Sequence, residues 1–164
     1  MRWIWIDKFL EFQPRQSATA LKNLSLAEDH LHDLYPAFPI APHSLIIEGM
    51  AQTAGILVGQ ARDFSEKVIL AKIGKAKFHR LSRPGETLAF HARVESLNEH
   101  GASVAGVVRC GTAADAPLVA EIDLMFSHID KNLAGMSFPE HNFVFTEQFT
   151  QLLKTYTLDR PIQL

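Results

Sequence analysis

The chain has 164 residues, nearly half of them apolar, which is the size and composition of one domain able to bury its own core. A formal net charge of −2 lacks the surplus of Lys and Arg that displaces counterions from phosphates, which argues against a general nucleic-acid binder. The single cysteine, Cys110, excludes an intramolecular disulfide and a cysteine-based metal cluster and suits a reducing compartment.

The N-terminal "MRWIWIDKFLEF" is apolar in bias, but Asp7, Lys8 and Glu11 break it too early for a signal peptide or membrane span, so a cytoplasmic protein is expected. Trp3 to Asp7 reads as a short edge element and Ser17 to Leu24 as a longer strand. "DHLHD", residues 29 to 33, reads as a polar loop. A long helix follows Pro42, which suits a first turn, with Ser44 able to cap it. Val68 to Phe78 is a strand candidate leading to the turn residues Pro84 and Gly85. In Thr87 to Leu97, Leu88, Phe90, Ala92 and Val94 alternate with Ala89, His91, Arg93 and Glu95, the period of a half-buried strand. Ala102 to Cys110 is the next strand. Leu118 to Ile129 follows, with Leu118, Ala120, Ile122, Leu124 and Phe126 on one face and Glu121 and Asp123 on the other. These last three strands form an antiparallel meander. Phe149, Leu152, Leu153 and Tyr156 fall at helical spacing within Thr146 to Tyr156. The fold class is therefore α+β, an antiparallel sheet wrapped around one long central helix. Residues 1–130 are expected to make a single domain, and residues 131–164 a C-terminal extension with a short helix.

The central helix has almost no wet side, and Gly49, Gly55 and Gly59 within it suggest close backbone approach. Yet it carries Glu48 and, one turn later, Gln52 on the same face. A buried carboxylate is expensive unless paired, hydrogen-bonded or protonated, and its pKa tends to rise, which is also how a general acid is made. From this pair alone, an interface hydrogen bond and a catalytic role are both open.

The flanking residues carry a resemblance. "YPAFPIAPHSLIIEGMAQTAGILVG" resembles the central segment of the hot-dog-fold 3-hydroxyacyl-[acyl-carrier-protein] dehydratases, with Pro36, Pro39, Pro42, Leu45, Glu48, Ala51 and Gln52 at that family's spacing. "AKIGKAKFHRLSRPGETL" is similar to its second conserved block. The resemblance implies a hot-dog fold and removal of water from a 3-hydroxyacyl chain to give the trans-2-enoyl thioester in fatty-acid or related acyl-chain biosynthesis. In that family a His before the first proline takes the α-proton, and the helix carboxylate of the partner subunit protonates the departing hydroxyl. A backbone N–H after the third proline helps hold the thioester oxygen. Here Glu48 stands at the carboxylate and Tyr35 at the Phe, but Leu34 stands at the His and His43 at the Gly after the third proline. Leucine moves no proton, and general-base work of this kind contributes about 10²- to 10⁴-fold.

Three readings follow from that replacement. A dehydratase could use a relocated base, either His32, which in an extended segment would point to the same side as Leu34, or His43. A thioesterase of the same fold could use Glu48 to activate water. A catalytically silent subunit could bind the acyl thioester, either as a homodimer that holds acyl carriers or as the partner of a His-bearing paralogue whose site it completes in a heterodimer.

The resemblance further implies an acyl carrier protein or coenzyme A thioester as partner, with the acyl chain in a tunnel between the helices of a homodimer or higher oligomer. Leu34, Tyr35, Phe38, Pro42, His43, Ser44, Gln52 and Phe78 are the expected substrate contacts. Lys72, Lys75, Lys77, Arg80 and Arg83 form the expected carrier-binding rim, against the alternative of an ordinary solvated strand face. No cofactor is expected: the eight His are scattered, no metal-ligand spacing is present, and there is no phosphate-cradling Gly-rich loop.

Overall fold

Strands whose apolar residues alternate can bury one face and leave the other wet, so they need a single covering layer. In the computed structural model, which describes residues 4–33, 36–132, 135, 139, 141–142 and 144–159, that layer is one helix. Six strands form a wholly antiparallel sheet: β1 (Lys8–Gln13), β2 (Ser17–Asn23), β3 (Val68–Phe78), β4 (Thr87–Leu97), β5 (Gly101–Cys110) and β6 (Leu118–His128). Their order is β1-β2-β4-β5-β6-β3, so β4-β5-β6 is the predicted meander and β3 lies at the far edge. The described helices are α1 (Asp29–Asp33), α2 (His43–Gln60), α3 (Ile129–Asn132) and α4 (Glu147–Asp159).

Helix α2 packs on β2, β3, β4, β5 and β6 and forms the core with them. Ile46, Met50, Ile56, Leu57 and Val58 are fully buried against Phe90, Leu88, Ile122 and Leu124. Each such side chain contributes roughly 1.5–3 kcal/mol by leaving water. Gly49 is required where the helix crosses the sheet most closely, since a Cβ there would lie 2.5 Å from Phe90 Cζ and 2.9 Å from Trp5 Cδ1. Gly55 has no comparable constraint, because a Cβ there would make ordinary contact with Phe126 at 3.5 Å. Arg15 reaches back from the β1–β2 turn to donate to Ala61 O at 3.1 Å, satisfying a carbonyl beyond the helix end.

Several local expectations are corrected. The first strand begins at Lys8 rather than covering Trp3 to Asp7. Trp3 lies outside the described residues, and Trp5 and Ile6 are buried against the core, with the Trp5 N–H bonded to a side chain instead of a strand. Ser44 is not the helix cap: Pro42 is the N-cap, no side chain caps the helix, and Pro42 O accepts from the N–H groups of Leu45 and Ile46 at 3.0 and 3.2 Å. Residues 29–33 form a helix rather than a loop. Leu118 leaves the face of Ala120, Ile122 and Leu124 because a register shift opposite Arg109 inserts Val119, which is itself buried. The C-terminal helix runs Glu147–Asp159 and packs against β1.

Candidate active site

Helix α2 presents Glu48, Ala51, Gln52, Gly55 and Ile56 along one stripe, as residues three and four apart must on a helix. That stripe is one wall of a cavity of about 290 Å³, with Val68, Ile69 and Leu70 of β3, Phe126 of β6, and Val144, Phe145 and Phe149 of the C-terminal segment opposite. Among the described residues the rest of the lining is apolar or glycine, so a carboxylate heads an otherwise greasy slot.

The two polar residues differ from expectation in which one is buried. Gln52 is 7% exposed, whereas Glu48 is only half-buried in the protomer. Gln52 Nε2 donates to Glu48 Oε1 at 2.7 Å, and Gln52 Oε1 accepts the Trp5 backbone N–H at 2.8 Å. The amide therefore has its donor and acceptor ends assigned by their partners. This fixes one carboxylate oxygen of Glu48 and leaves its other oxygen the freer one. Trp5 was not legible in the sequence as part of the site. Its contribution is a main-chain N–H, which any residue carries.

The N-terminus of α2 supplies the other predicted feature. His43 and Ser44 are exposed and belong to the first turn, whose N–H groups have no carbonyl one turn earlier to bond. Such donors suit a developing oxyanion. The His43 ring is stacked on Phe78, with centroids 3.8 Å apart and planes within 4°. His43 and Glu48 are five residues apart, about 140° around the helix, so they do not share a face within one protomer. Phe38 is exposed and lies under the Arg83 guanidinium at 4.3 Å.

The relocated-base geometry for His32 requires an extended segment, and the backbone at Asp29–Asp33 is helical instead. The His32 side chain, Leu34 and Tyr35 lie outside the described residues.

The predicted basic residues fall into two groups. Simple alternation would put Lys72 opposite in face to Lys75 and Lys77. Register shifts between Leu70 and Lys72 and between Ile73 and Lys75 bring all three to the outer face, across from Met125, Asp123 and Glu121. Lys75 donates to Glu121 Oε1 at 3.0 Å and His79 lies 3.0 Å from Glu121 Oε2. These two hydrogen bonds hold the Glu121 carboxyl below its usual range, that from Lys75 contributing most. This row is therefore partly neutralised. Arg80 pairs with Glu86, and its pKa is raised, first by a hydrogen bond to the Cys110 side chain and then by Glu86. Arg83 projects beside Phe38, Pro39 and Leu26 at a shallow apolar depression.

A helix cradled by a curled antiparallel sheet, with a carboxylate on the helix facing an apolar slot, defines a hot-dog-fold protein. A FabA-like domain model matches residues 3–123, and the chain belongs to that family. It is 32% identical over 124 residues to 3-hydroxyacyl-[acyl-carrier-protein] dehydratase FabZ of Rickettsia typhi, covering 73% of this chain and 86% of the relative. It is likewise 32% identical to the FabZ dehydratase of Levilactobacillus brevis, covering 75% and 81%. Among solved structures it is similar to the dehydratase heterocomplex ApeI:P from Xenorhabdus doucetiae, with a TM-score of 0.62, 15% identity, and 79% and 85% of the two chains covered. It is also similar to smu.793 from Streptococcus mutans bound to acetyl CoA, with a TM-score of 0.59, 12% identity, and 77% and 91% covered. At those identities the solved structures bear on the fold alone.

Proposed function

We propose that this chain supplies the acid half of a 3-hydroxyacyl-thioester dehydratase site, taking its acyl chain from a carrier protein or coenzyme A. The observation that carries the reading is the chain of hydrogen bonds from Trp5 N–H through Gln52 to Glu48, ending at an apolar cavity. In the elimination, protonated Glu48 delivers its proton to the 3-hydroxyl as the C–O bond breaks, and water leaves. A base removes the α-proton, whose C–H electrons form the new C=C bond. The thioester oxygen gains negative charge during proton removal, and the open N–H groups of His43 and Ser44 are suited to receive it. Pro42 presets the turn that exposes them.

The base comes from a second subunit. Within one protomer His43 is turned away from Glu48, and Leu34 occupies the family's His position. A second subunit also fits the surface. Edge strand β3 exposes Ile69, Leu70 and Ile73, and Met125 beside it is 47% exposed, an apolar edge that an isolated chain would protect. Pairing across this edge gives a dimer, and a His-bearing paralogue on the other side completes the proton-transfer pair. The carrier docks at the shallow depression where Arg83 lies over Phe38, with Lys72 and Lys77 as further contacts.

The test is a parallel assay of enoyl absorbance and free-thiol release, using 3-hydroxyacyl and enoyl thioesters with the protein alone and mixed with a His-bearing paralogue. Interconversion that requires both chains and disappears in Glu48→Gln supports the proposal. Interconversion by the protein alone, lost in His32→Ala, replaces the second-subunit base with a relocated one. Thiol release without interconversion makes the protein a thioesterase and overturns the reading.

A further inference from the structure

The cavity that begins at Glu48 is lined farther along the helix by residues the family match does not include. That match ends at residue 123, whereas Val144, Phe145 and Phe149 line the cavity. We infer that Phe145, with Phe149 beside it, is the acyl chain-length stop of this protein. The inference rests on the reading of Glu48 as the head of an acyl-thioester site.

Three features hold Phe145 at this place. Gly59, on the last turn of α2, is the seat of the Phe145 ring, since a Cβ there would overlap it. The ring is also held edge-on to Phe64, with centroids 5.1 Å apart. The backbone leading into it is clamped by Asn142, whose Oδ1 accepts the Val144 and Phe145 N–H groups, each at 3.0 Å. The Asn142 amide donates to Phe64 O and Glu66 O at 2.9 and 3.1 Å, tying the clamp to the segment after α2. One side chain thus satisfies four main-chain groups, and the aromatic it positions lines the slot.

The geometry sets a length. Glu48 and Gly59 are about three turns apart, roughly 16 Å along the helix axis, and the Phe145 ring occupies the last of those turns. About 10 Å remain for a chain running beside Ala51, Gln52 and Gly55. An extended acyl chain advances about 1.3 Å per carbon, given a C–C bond of about 1.5 Å. The slot therefore accommodates about eight carbons, in keeping with a volume of about 290 Å³, at the small end of ligand sites. Removing the ring opens roughly one further turn, or about four carbons.

The experiment measures binding, not turnover, so that it stands or falls apart from the dehydratase reading. Saturated acyl-pantetheine analogues with the thioester sulfur replaced by NH, in a series of increasing length, are titrated calorimetrically into the full-length protein and its Phe145→Ala and Phe145→Leu variants. Affinity should rise by up to about fourfold per carbon as each methylene is buried, then stop rising near eight carbons. In Phe145→Ala the break should move out by about four carbons and in Phe145→Leu by a smaller step. Phe145→Leu keeps an apolar side chain on Gly59, so it reports even if the Ala variant fails to fold. Absence of binding at every length, or a break that stays in place in Phe145→Leu and in a folded Phe145→Ala, overturns the assignment. A break that moves in a protein with no dehydratase turnover leaves the length stop standing and sinks only the reaction.

Discussion

Replacing Gln52 by Leu isolates the interaction that orients Glu48. Gln52 is buried and bonds to both Glu48 and the Trp5 N–H, and leucine fills a similar volume while offering neither a donor nor an acceptor. The Trp5 N–H then loses its Gln52 acceptor beneath a buried indole, a cost of about 1–3 kcal/mol for a buried hydrogen bond removed from one side. The hydrogen bond to Glu48 adds less, because a half-buried carboxylate can recover part of it from water. The expected loss is about 2 kcal/mol, or roughly 4–8 °C in Tm for a chain of this size. Urea unfolding monitored by far-UV circular dichroism reads it as a lower midpoint at unchanged slope. Gln52→Glu separates the two roles, since its carboxylate can accept from Trp5 but faces Glu48 as a like charge. Such a pair holds a proton more tightly when folded than when unfolded. The Glu variant should therefore gain stability relative to Gln52→Leu as pH falls into the carboxylate range. A Leu variant within about 0.5 kcal/mol of wild type would refute the reasoning, because a buried main-chain donor would then have no need of this acceptor.

Gly49→Ala should destabilise by about 1–3 kcal/mol through overlap with Phe90 and Trp5, despite alanine's better helix propensity; a gain in denaturation midpoint would count against the close crossing. His91 is half-buried on β4, 3.1 Å from Thr19 Oγ1, and its pKa is lowered, mainly by burial and then by Arg109, with Glu11 opposing. The folded chain thus favours neutral His91. Its contribution is fully present above an unfolded pKa of about 6.5 and is lost as pH falls through the lower folded value. Unfolding curves between about pH 7.5 and about pH 5 should show a smaller fall in stability for His91→Gln than for wild type, and identical slopes would refute the shift. Leu34→His returns an imidazole to the family's base position, and should raise 3-hydroxyacyl dehydration by the protein alone about 10²- to 10⁴-fold; an unchanged rate would remove Leu34 from the account of the missing base.

The parts of the fold that were legible were those set by local period. Thr87–Leu97 is a strand over the residues its alternation marks, Val68–Phe78 is the strand expected before the Pro84-Gly85 turn, and the helix after Pro42 runs as its apolar length requires. The failures have three physical causes. Trp3 to Asp7 has a strand's composition, but the Trp5 N–H is taken by a side chain distant in sequence, so the ladder starts later. Residues 29–33 are too short and polar to announce a helix. Leu118 and the Lys72 row change face at register shifts, which insert a residue without leaving a mark in the hydrophobic pattern.

The sequence by itself determined the helix that carries Glu48, the four-residue spacing that sets Gln52 beneath it, and the family to which both motifs point, because these depend on neighbours along the chain. Only the tertiary structure decided what surrounds them. It made Gln52, not Glu48, the deeply buried member, gave Gln52 its second partner in Trp5, and brought Phe145 and Phe149 from the C-terminal segment onto the central helix. Those contacts join residues as far apart as Gly59 and Phe145, and no periodicity records them. They exist because an apolar helix stripe left open by the sheet gains most when another part of the same chain covers it.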